Sequence, residues 1–215
     1  MGFQPTSLIR TESELRTLFG NASGRAANKQ IDHVDAGAAA FLAHTTFVAM
    51  GTTNSVAAGD VSPKGGPAGF VKVLDPHHIA FGELPGNNRL DGFINLLTDD
   101  RTGLLAVVPG VRETMRFNGH AMLSTDPQLL QLTKIDERLP KVAVVIKVDE
   151  VFLHCGKAMI RSGMWAPESW PDTSTMPTPA CIINAHTKTD TDPDGSKTTA
   201  ALEDAYRVSL WNNPA

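Results

Sequence analysis

The feature that most constrains the fold is a series of short strand-like segments between residues 47 and 155, separated by glycine and proline turns. GFVKVLD (69–75) alternates and is rich in β-branched residues, and RTGLLAVVPG (101–110) is an apolar strand that ends in a Pro-Gly turn. About six such segments at close spacing, without repeated strand–helix alternation, predict a six-stranded antiparallel β-barrel. We therefore expect a mainly β (α+β) protein with flanking helices.

The rest of the chain predicts helices and loops around that barrel. Apolar residues from Ile31 and Val34 onward recur at helical spacing. We expect a single domain in which residues 1–50 form a helical segment packed on the barrel and residues 51–165 form the barrel. Residues 166–215, which begin with a stretch rich in Pro, Thr and Asp, are predicted to be loop followed by a short helix.

Three local patterns make more specific predictions about individual strands and one helix. TFVAMGTT (46–53) and SVAAGDVSP (55–63) form either a strand pair or one bent strand. Asp126 is predicted to cap a short helix in DPQLLQLT. The long strand KVAVVIKVDEVFLHC (141–155) is expected to bend near Asp149.

Charge and composition limit the classes of function. The 215 residues carry a net charge of −4, which disfavours a general nucleic-acid binder because such proteins are normally basic. No apolar run is long enough to cross a bilayer, so no membrane association is expected. The first residues lack the charged and apolar regions of a signal peptide, and we expect a cytoplasmic protein.

The segment PGNNRLDGFINLL (85–97) is the first candidate for an anion site. Asn87, Asn88 and Arg89 precede a short stretch with helical periodicity, and an arginine offers a rigid fork of donors suited to phosphate. The alternative is a turn in which an asparagine caps the helix and Arg89 pairs with Asp91. On these residues alone the capped turn is the better interpretation.

Two other segments carry donors that suit an anionic ligand. In DVSPKGG (60–66), Ser62 and Lys64 precede a glycine pair, although a hairpin turn with a solvated lysine explains the same letters. Arg112, Thr114 and Arg116 alternate in a predicted strand and therefore share one face. That face is either an edge exposed to water or the wall of an anionic pocket.

The segment HCGKAMIRSGMW (154–165) is dense in reactive residue types but lacks a catalytic or metal signature. His154 and Cys155 are adjacent and point to opposite faces of a strand, and no paired ligand motif accompanies them, so no metal is predicted. Lys157 and Arg161 lie four residues apart and would share one side of a helix. No serine or cysteine nucleophile has a local signature, and no catalytic residue is assigned.

Four of these segments, taken in chain order, resemble the pyridoxamine 5′-phosphate oxidase-like flavoproteins, and a branch of FMN-dependent enzymes without an identified substrate in particular. They are SPKGGPAGFVKVLD, PGNNRLDGFINLL, VPGVRETMRFNGHAML and HCGKAMIRSGMW, and the resemblance spans about residues 28–167. It implies a split β-barrel, a homodimer, and FMN bound at the subunit interface.

The resemblance also implies which residues bind the cofactor. Asn88 and Arg89, with Asn87 close by, match the family's phosphate-binding position, and Ser62 and Lys64 match a turn that reaches the phosphate or ribityl chain. The residues implied near the flavin ring or covering it are Phe70, Val71, Lys72, Thr114, Arg116, Arg161 and Trp165. The last two belong to a segment that resembles a cover over the flavin, supplied by the same or the other subunit.

The function that the resemblance implies is an FMN-dependent oxidoreductase acting on a small molecule. Leu84 stands where this branch usually has an arginine, which implies a phosphate site with one fewer cation. Two alternatives stay open: a non-catalytic flavin-binding or flavin-storage protein, and a split-barrel protein that binds haem or a deazaflavin. Haem would need a histidine ligand, and His120 and His154 are the candidates.

Overall fold

The structure, a computed structural model, describes residues 2–56, 58–84, 86–189 and 191–210. The chain forms two compact units, Met1–Gln30 and Ile31–Ala215. The first unit contains helices α1 (Glu12–Phe19) and α2 (Arg25–Asn28), neither of which has a buried residue. Thr11 caps α1 through a capping box with Glu14, which satisfies two of the free N–H groups at the helix start.

The second unit is built on a seven-stranded antiparallel sheet with the order β2-β1-β5-β6-β7-β4-β3. The strands are β1 (Phe47–Thr53), β2 (Gly59–Gly65), β3 (Lys72–Asp75), β4 (His78–Gly82), β5 (Arg101–Val107), β6 (Thr114–Ser124) and β7 (Ala143–His154). The mainly β, α+β class is therefore confirmed. The sheet has seven strands where six were expected.

The seventh strand arises from the segment that the sequence left open as a pair or one bent strand. The Asn54 side chain accepts hydrogen bonds from the backbone N–H groups of Val56 at 3.0 Å and Ala58 at 2.9 Å. Asparagine favours such local turns, so the chain reverses here and β1 and β2 form an antiparallel pair.

One face of the sheet carries the hydrophobic core. Val48 and Met50 of β1 lie opposite Ala106 and Leu104 of β5, and all four are almost fully buried. Because residues directly opposite each other share a face, the register carries this inner face across the whole sheet. The other face is referred to below as the outer face.

The predicted bend in β7 is confirmed as a β-bulge. Asn118 pairs with Glu150 and Gly119 pairs with Val148, so Asp149 is the extra residue on β7. A Cβ on Gly119 would lie 1.9 Å from the carbonyl oxygen of Lys147, and only glycine fits this close approach.

Helices precede, connect and follow the strands of the second unit. They are α3 (Ala36–His44), α4 (Asp91–Leu96), α5 (Pro127–Leu132), α6 (Lys157–Arg161), α7 (Pro179–Thr187) and α8 (Ser196–Ser209), with a 3₁₀ turn at Pro167–Ser169. Asp126 caps α5 as predicted. The helical pattern begins later than expected, because Ile31 pairs with Val151 in an isolated bridge instead. Within the described residues, no helix is long and apolar enough to cross a membrane.

The sheet is open but strongly curled. No strand pairing joins β2 to β3, the two edge strands of the described sheet. Lys64 of β2 nevertheless makes a 2.9 Å ion pair with Glu83, which directly follows β4. The two ends of the sheet therefore lie side by side across a narrow opening.

Candidate functional site

A cavity of about 970 Å³ occupies this opening. Its walls are β2 on one side, the end of β4 with the start of β7 on the other, and the segment 86–93. Phe70, Phe81 and Phe93 border it, although all three belong to the buried core. The charged residues among the described lining are Asp60, Lys64, Glu83, Arg89, Asp91 and Lys141.

The polar residues of β2 point into the cavity because of the strand register. Asp60, Ser62 and Lys64 lie directly opposite Thr52, Met50 and Val48 of β1. Since Met50 and Val48 belong to the inner face, the three polar residues extend that face to the edge of the sheet. The hydrophobic interior thus changes into a polar wall at its last strand.

Lys64 and Glu83 form the ion pair that bridges the opening. The Lys64 Nζ atom donates to both carboxylate oxygens of Glu83, at 2.9 and 3.0 Å. It also lies 4.7 Å from the centre of the Phe93 ring, a cation–π contact. The side chains are only 16% and 24% exposed, so this pair is more shielded from water than an ordinary surface pair.

A buried asparagine holds the cavity's third wall in place. The Asn95 side chain, in α4, donates to the Thr52 hydroxyl at 3.0 Å and to the Asp60 carboxylate at 3.1 Å. Gly92 of α4 also faces the sheet, since a Cβ there would be in ordinary van der Waals contact with the hydroxyl oxygens of Ser62 and Thr52 at 3.6 Å. These contacts fix α4 against β1 and β2.

The segment before α4 makes local contacts in this structure. Asn87 accepts a hydrogen bond from the backbone N–H of Arg89 at 3.1 Å, and Arg89 Nε donates to Asp91 at 2.7 Å. That hydrogen bond raises the pKa of Arg89. Leu90 occupies the position before α4 and gives no side-chain cap, so the pairing alternative for Arg89 is present and the asparagine cap is not. Pro85 lies outside the described residues.

The cavity brings together half of the residues that the resemblance implied. Within the described lining they are Ser62, Lys64, Phe70, Asn87, Asn88 and Arg89. Val71 and Lys72 follow Phe70 in the chain but do not line the cavity; Val71 is buried in the core and Lys72 begins β3.

Thr114 and Arg116 lie on the outer face of the sheet. They alternate with Met115 and Phe117, which belong to the core. Arg116 lies over the ring of Phe152 at 5.0 Å, and Thr114 is buried opposite His154. A full sheet separates this position from the inner face.

Arg161 and Trp165 lie in and after α6. The Trp165 indole donates a hydrogen bond to the backbone carbonyl of Val111 at 2.9 Å, which joins this segment to the loop before β6. Arg161 is the last residue of α6 and is exposed. Neither residue lines the cavity of its own chain.

Sequence reasoning missed several residues of the cavity. Asp60 and Asn95 gave no signal because their roles depend on contacts between α4 and β2 that are 35 residues apart in the chain. Glu83 and Lys141 lie just beyond the ends of β4 and β7, two strands whose pairing was not identified from the sequence. Within the described residues, no group of His, Cys, Asp and Glu is arranged to hold a metal ion.

A curled open sheet with a large, mixed-charge cavity at its opening has the geometry that small-molecule sites commonly use. The sequence profile of pyridoxamine 5′-phosphate oxidase matches residues 34–155, more than half of the chain. The chain belongs to the pyridoxamine 5′-phosphate oxidase family. No curated protein sequence is a significant match.

Solved structures resemble part of the chain at low sequence identity. HupZ from Group A Streptococcus is 18% identical with a TM-score of 0.43, over 54% of this chain and 89% of HupZ. An FAD-binding protein from Mycobacterium smegmatis is 15% identical with a TM-score of 0.39, over 58% and 97%. A Clostridium acetobutylicum protein related to general stress protein 26, of the pyridoxinephosphate oxidase family, is 8% identical with a TM-score of 0.40, over 54% and 83%. Similarities this low say nothing about the ligand of this chain.

Proposed function

We propose that the protein is an FMN-binding flavoprotein and an FMN-dependent oxidoreductase that acts on a small molecule. The observation that carries the proposal is the meeting of Ser62, Lys64, Phe70 and Arg89 in one cavity of a chain that belongs to this family. These residues come from three separate segments of the sequence. The packing of α4 on β1 and β2 brings the third segment beside the first.

The cavity fits FMN in size and in chemistry. Pockets for ligands of this size usually have volumes of about 300–1,000 Å³, and this cavity has about 970 Å³. An isoalloxazine ring needs an apolar wall, which the cavity has where the core residues Phe70 and Phe93 border it. A ribityl phosphate needs hydrogen-bond donors and positive charge, which Ser62 and Arg89 offer.

Arg89 is the proposed phosphate ligand, with Asn88 and Asn87 beside it. Its side chain is 72% exposed and its partner Asp91 is 50% exposed, so water already screens their ion pair. A phosphate accepts two parallel hydrogen bonds from a guanidinium and carries more charge than a carboxylate. We therefore expect phosphate to compete successfully with Asp91 for Arg89.

Ser62, Lys64 and the backbone of Phe70, Val71 and Lys72 are proposed to contact the ribityl chain or the ring. When bound, FMN supplies the electron-transfer chemistry, and the protein binds and orients it. Arg116 is the proposed positive group near the pyrimidine end of the ring. No residue is assigned to proton transfer.

The four implied residues that lie outside the cavity support a homodimer with FMN at the subunit interface. Thr114, Arg116, Arg161 and Trp165 are implied at the flavin, yet none of them lines the cavity of its own chain. A second copy that covers the opening would supply them from outside. Phe47 and Val61 are 41% and 72% exposed, and such a partner would also remove apolar surface of this kind from water.

The first experiment is an absorption spectrum of the purified protein, followed by heat release and mass identification of any chromophore. Flavin bands with released FMN would support the proposal. A colourless protein that also fails to bind added FMN would refute it. Bound flavin that no donor reduces would favour the storage alternative, and a Soret band or a released deazaflavin would identify the other ligands. Light scattering after size-exclusion chromatography measures the mass of the particle in solution and so tests the dimer. A monomeric mass at micromolar concentration would contradict it.

A further inference from the structure

Lys141 is brought to the cavity by the antiparallel ladder between β4 and β7. The last described pair of that ladder is Gly82 with Ala143, and the backbone N–H of Glu83 then donates to the carbonyl of Val142 at 2.9 Å. Continuing the register by one residue puts Lys141 opposite Leu84. Both residues lie just beyond the ends of their strands, and both line the cavity.

Tight packing fixes the backbone from which Lys141 extends. A Cβ on Gly82 would lie 2.6 Å from Pro140 Cγ and 2.9 Å from the carbonyl oxygen of Thr133. Pro140 is therefore pressed against the backbone of β4 immediately before Lys141. This contact holds the backbone next to Lys141 in place. The Lys141 side chain itself is exposed and can reorient.

Lys141 differs from the other two cations of the cavity in its ion pairing. Lys64 is held by Glu83, and Arg89 is held by Asp91. Lys141 makes no ion pair or side-chain hydrogen bond with the part of the chain that the structure describes. It is the cavity cation whose charge no described carboxylate offsets.

We propose that Lys141 is a phosphate-binding residue, which acts together with Arg89 on the phosphate of FMN. The inference rests on the proposed function and adds a residue that the sequence motifs did not indicate. A phosphate monoester carries a charge of about −1.5 to −2 at neutral pH, so one arginine that is shared with Asp91 leaves much of it unbalanced. Lys141 supplies the second positive charge, opposite Leu84, where the resemblance implied one fewer cation.

The test compares FMN with riboflavin, which has the same ring and ribityl chain but no phosphate. Binding to the apoprotein is followed by quenching of flavin fluorescence for the original protein, Lys141→Ala and Lys141→Arg. The matched control is Lys147→Ala, because Lys147 is an exposed lysine of β7, six residues after Lys141, that does not line the cavity. Thermal unfolding of each variant shows whether the fold is retained.

Lys141→Ala is expected to weaken FMN binding about tenfold and to leave riboflavin binding unchanged. Lys141→Arg should remain within about threefold of the original protein, and Lys147→Ala should bind both flavins normally. The salt dependence of FMN binding should also become shallower in Lys141→Ala, since one fewer charge takes part.

Two results would overturn the inference while the proposed function stands. In the first, Lys141→Ala binds FMN as tightly as the original protein does. In the second, it loses FMN and riboflavin affinity equally, which would place Lys141 away from the phosphate. If the original protein binds neither flavin, the proposed function and this inference fail together.

Discussion

Two carboxylate-centred clusters of the second unit use similar residues but neutralise their charges differently. In the first, which joins α7 to α8, Asp192 is only 5% exposed. It accepts hydrogen bonds from the backbone N–H groups of Thr198 at 2.8 Å and Lys197 at 3.1 Å, and from the Asn184 side chain at 3.1 Å. The Thr198 hydroxyl in turn donates to Asn184.

In the second cluster, the cavity, each charge has at most one described charged partner. Arg89 pairs with Asp91 through one 2.7 Å contact, and Lys64 pairs with Glu83. The Arg89 pair is largely exposed, so its separation costs little. The Lys64 pair is more shielded, but both of its members line the cavity and face an incoming ligand.

The difference shows how similar chemistry serves two purposes. The backbone N–H of Thr198, followed by the other donors, lowers the pKa of Asp192 far below its usual range, because they all stabilise the charged form. That carboxylate is buried and already accepts three hydrogen bonds, so it is poorly placed to bind a ligand. The cavity groups keep exchangeable partners, which is what a binding site requires.

Arg89→Ala should have the largest effect on ligand binding. Loss of a charge-assisted, two-point contact to phosphate is expected to weaken FMN affinity by about tenfold to a hundredfold, with no change in thermal stability. The measurement is a fluorescence titration. The matched control is Arg101→Ala, because Arg101 is equally exposed and is held by Asp99 two residues away, outside the cavity. Equal affinities for both variants would assign Arg89 to its pair with Asp91 alone.

Asp192→Asn should have the opposite profile. In the variant, an amide NH₂ group would replace one of the carboxylate oxygens that accept hydrogen bonds from the backbone. Because two donors would then face each other, the melting temperature is expected to fall by about 5 °C. FMN affinity should not change, because Asp192 does not line the cavity. A loss of affinity at unchanged stability would contradict the separation of the two clusters.

The pH dependence of stability sharpens the same comparison. Asp192 has a lowered pKa in the folded protein, so its contribution is complete above its unfolded pKa of about 3.9 and is lost as the pH falls through the folded value. The difference in melting temperature between the original protein and Asp192→Asn should be constant from pH 5 to 7. It should shrink below about pH 4. A difference that grows on acidification would refute this assignment.

Glu83→Gln should have the smallest effect and should strengthen FMN binding by about threefold at low salt. Removal of this negative charge releases Lys64 toward an anionic ligand and makes the cavity more positive. The control is Glu137→Gln, which breaks an exposed Lys134–Glu137 pair that does not line the cavity. Weaker FMN binding in Glu83→Gln would mean that the ion pair is needed to hold the opening in shape.

The sequence was informative where the cause of structure is local. The helix cap at Asp126 depends on residues within three positions of it, and the cap and the short helix that follows it were both predicted correctly. The bend near Asp149 was also anticipated, although its partner Gly119 was not. The start of α3 was placed too early, because Ile31 finds a distant partner in Val151.

The candidate site was only partly accessible from the sequence. The order of the motifs implied Ser62, Lys64 and Arg89 as neighbours, and the structure brings them to one cavity. Asp60, Asn95 and Lys141 could not be found, because each reaches the cavity through pairing with a segment far away in the chain. Whether Thr114 and Arg116 join the same site depends on a second copy of the chain.

The sequence by itself determined the β-rich class, the turns and the set of segments that carry polar and cationic groups, because period-two alternation, glycine, proline and asparagine act within a few residues. Only the tertiary structure decided which face of the sheet each group occupies. The register places Lys64 on the inner face and Arg116 on the outer face. The curl of the sheet then sets Lys64 beside Glu83, and that contact defines the cavity.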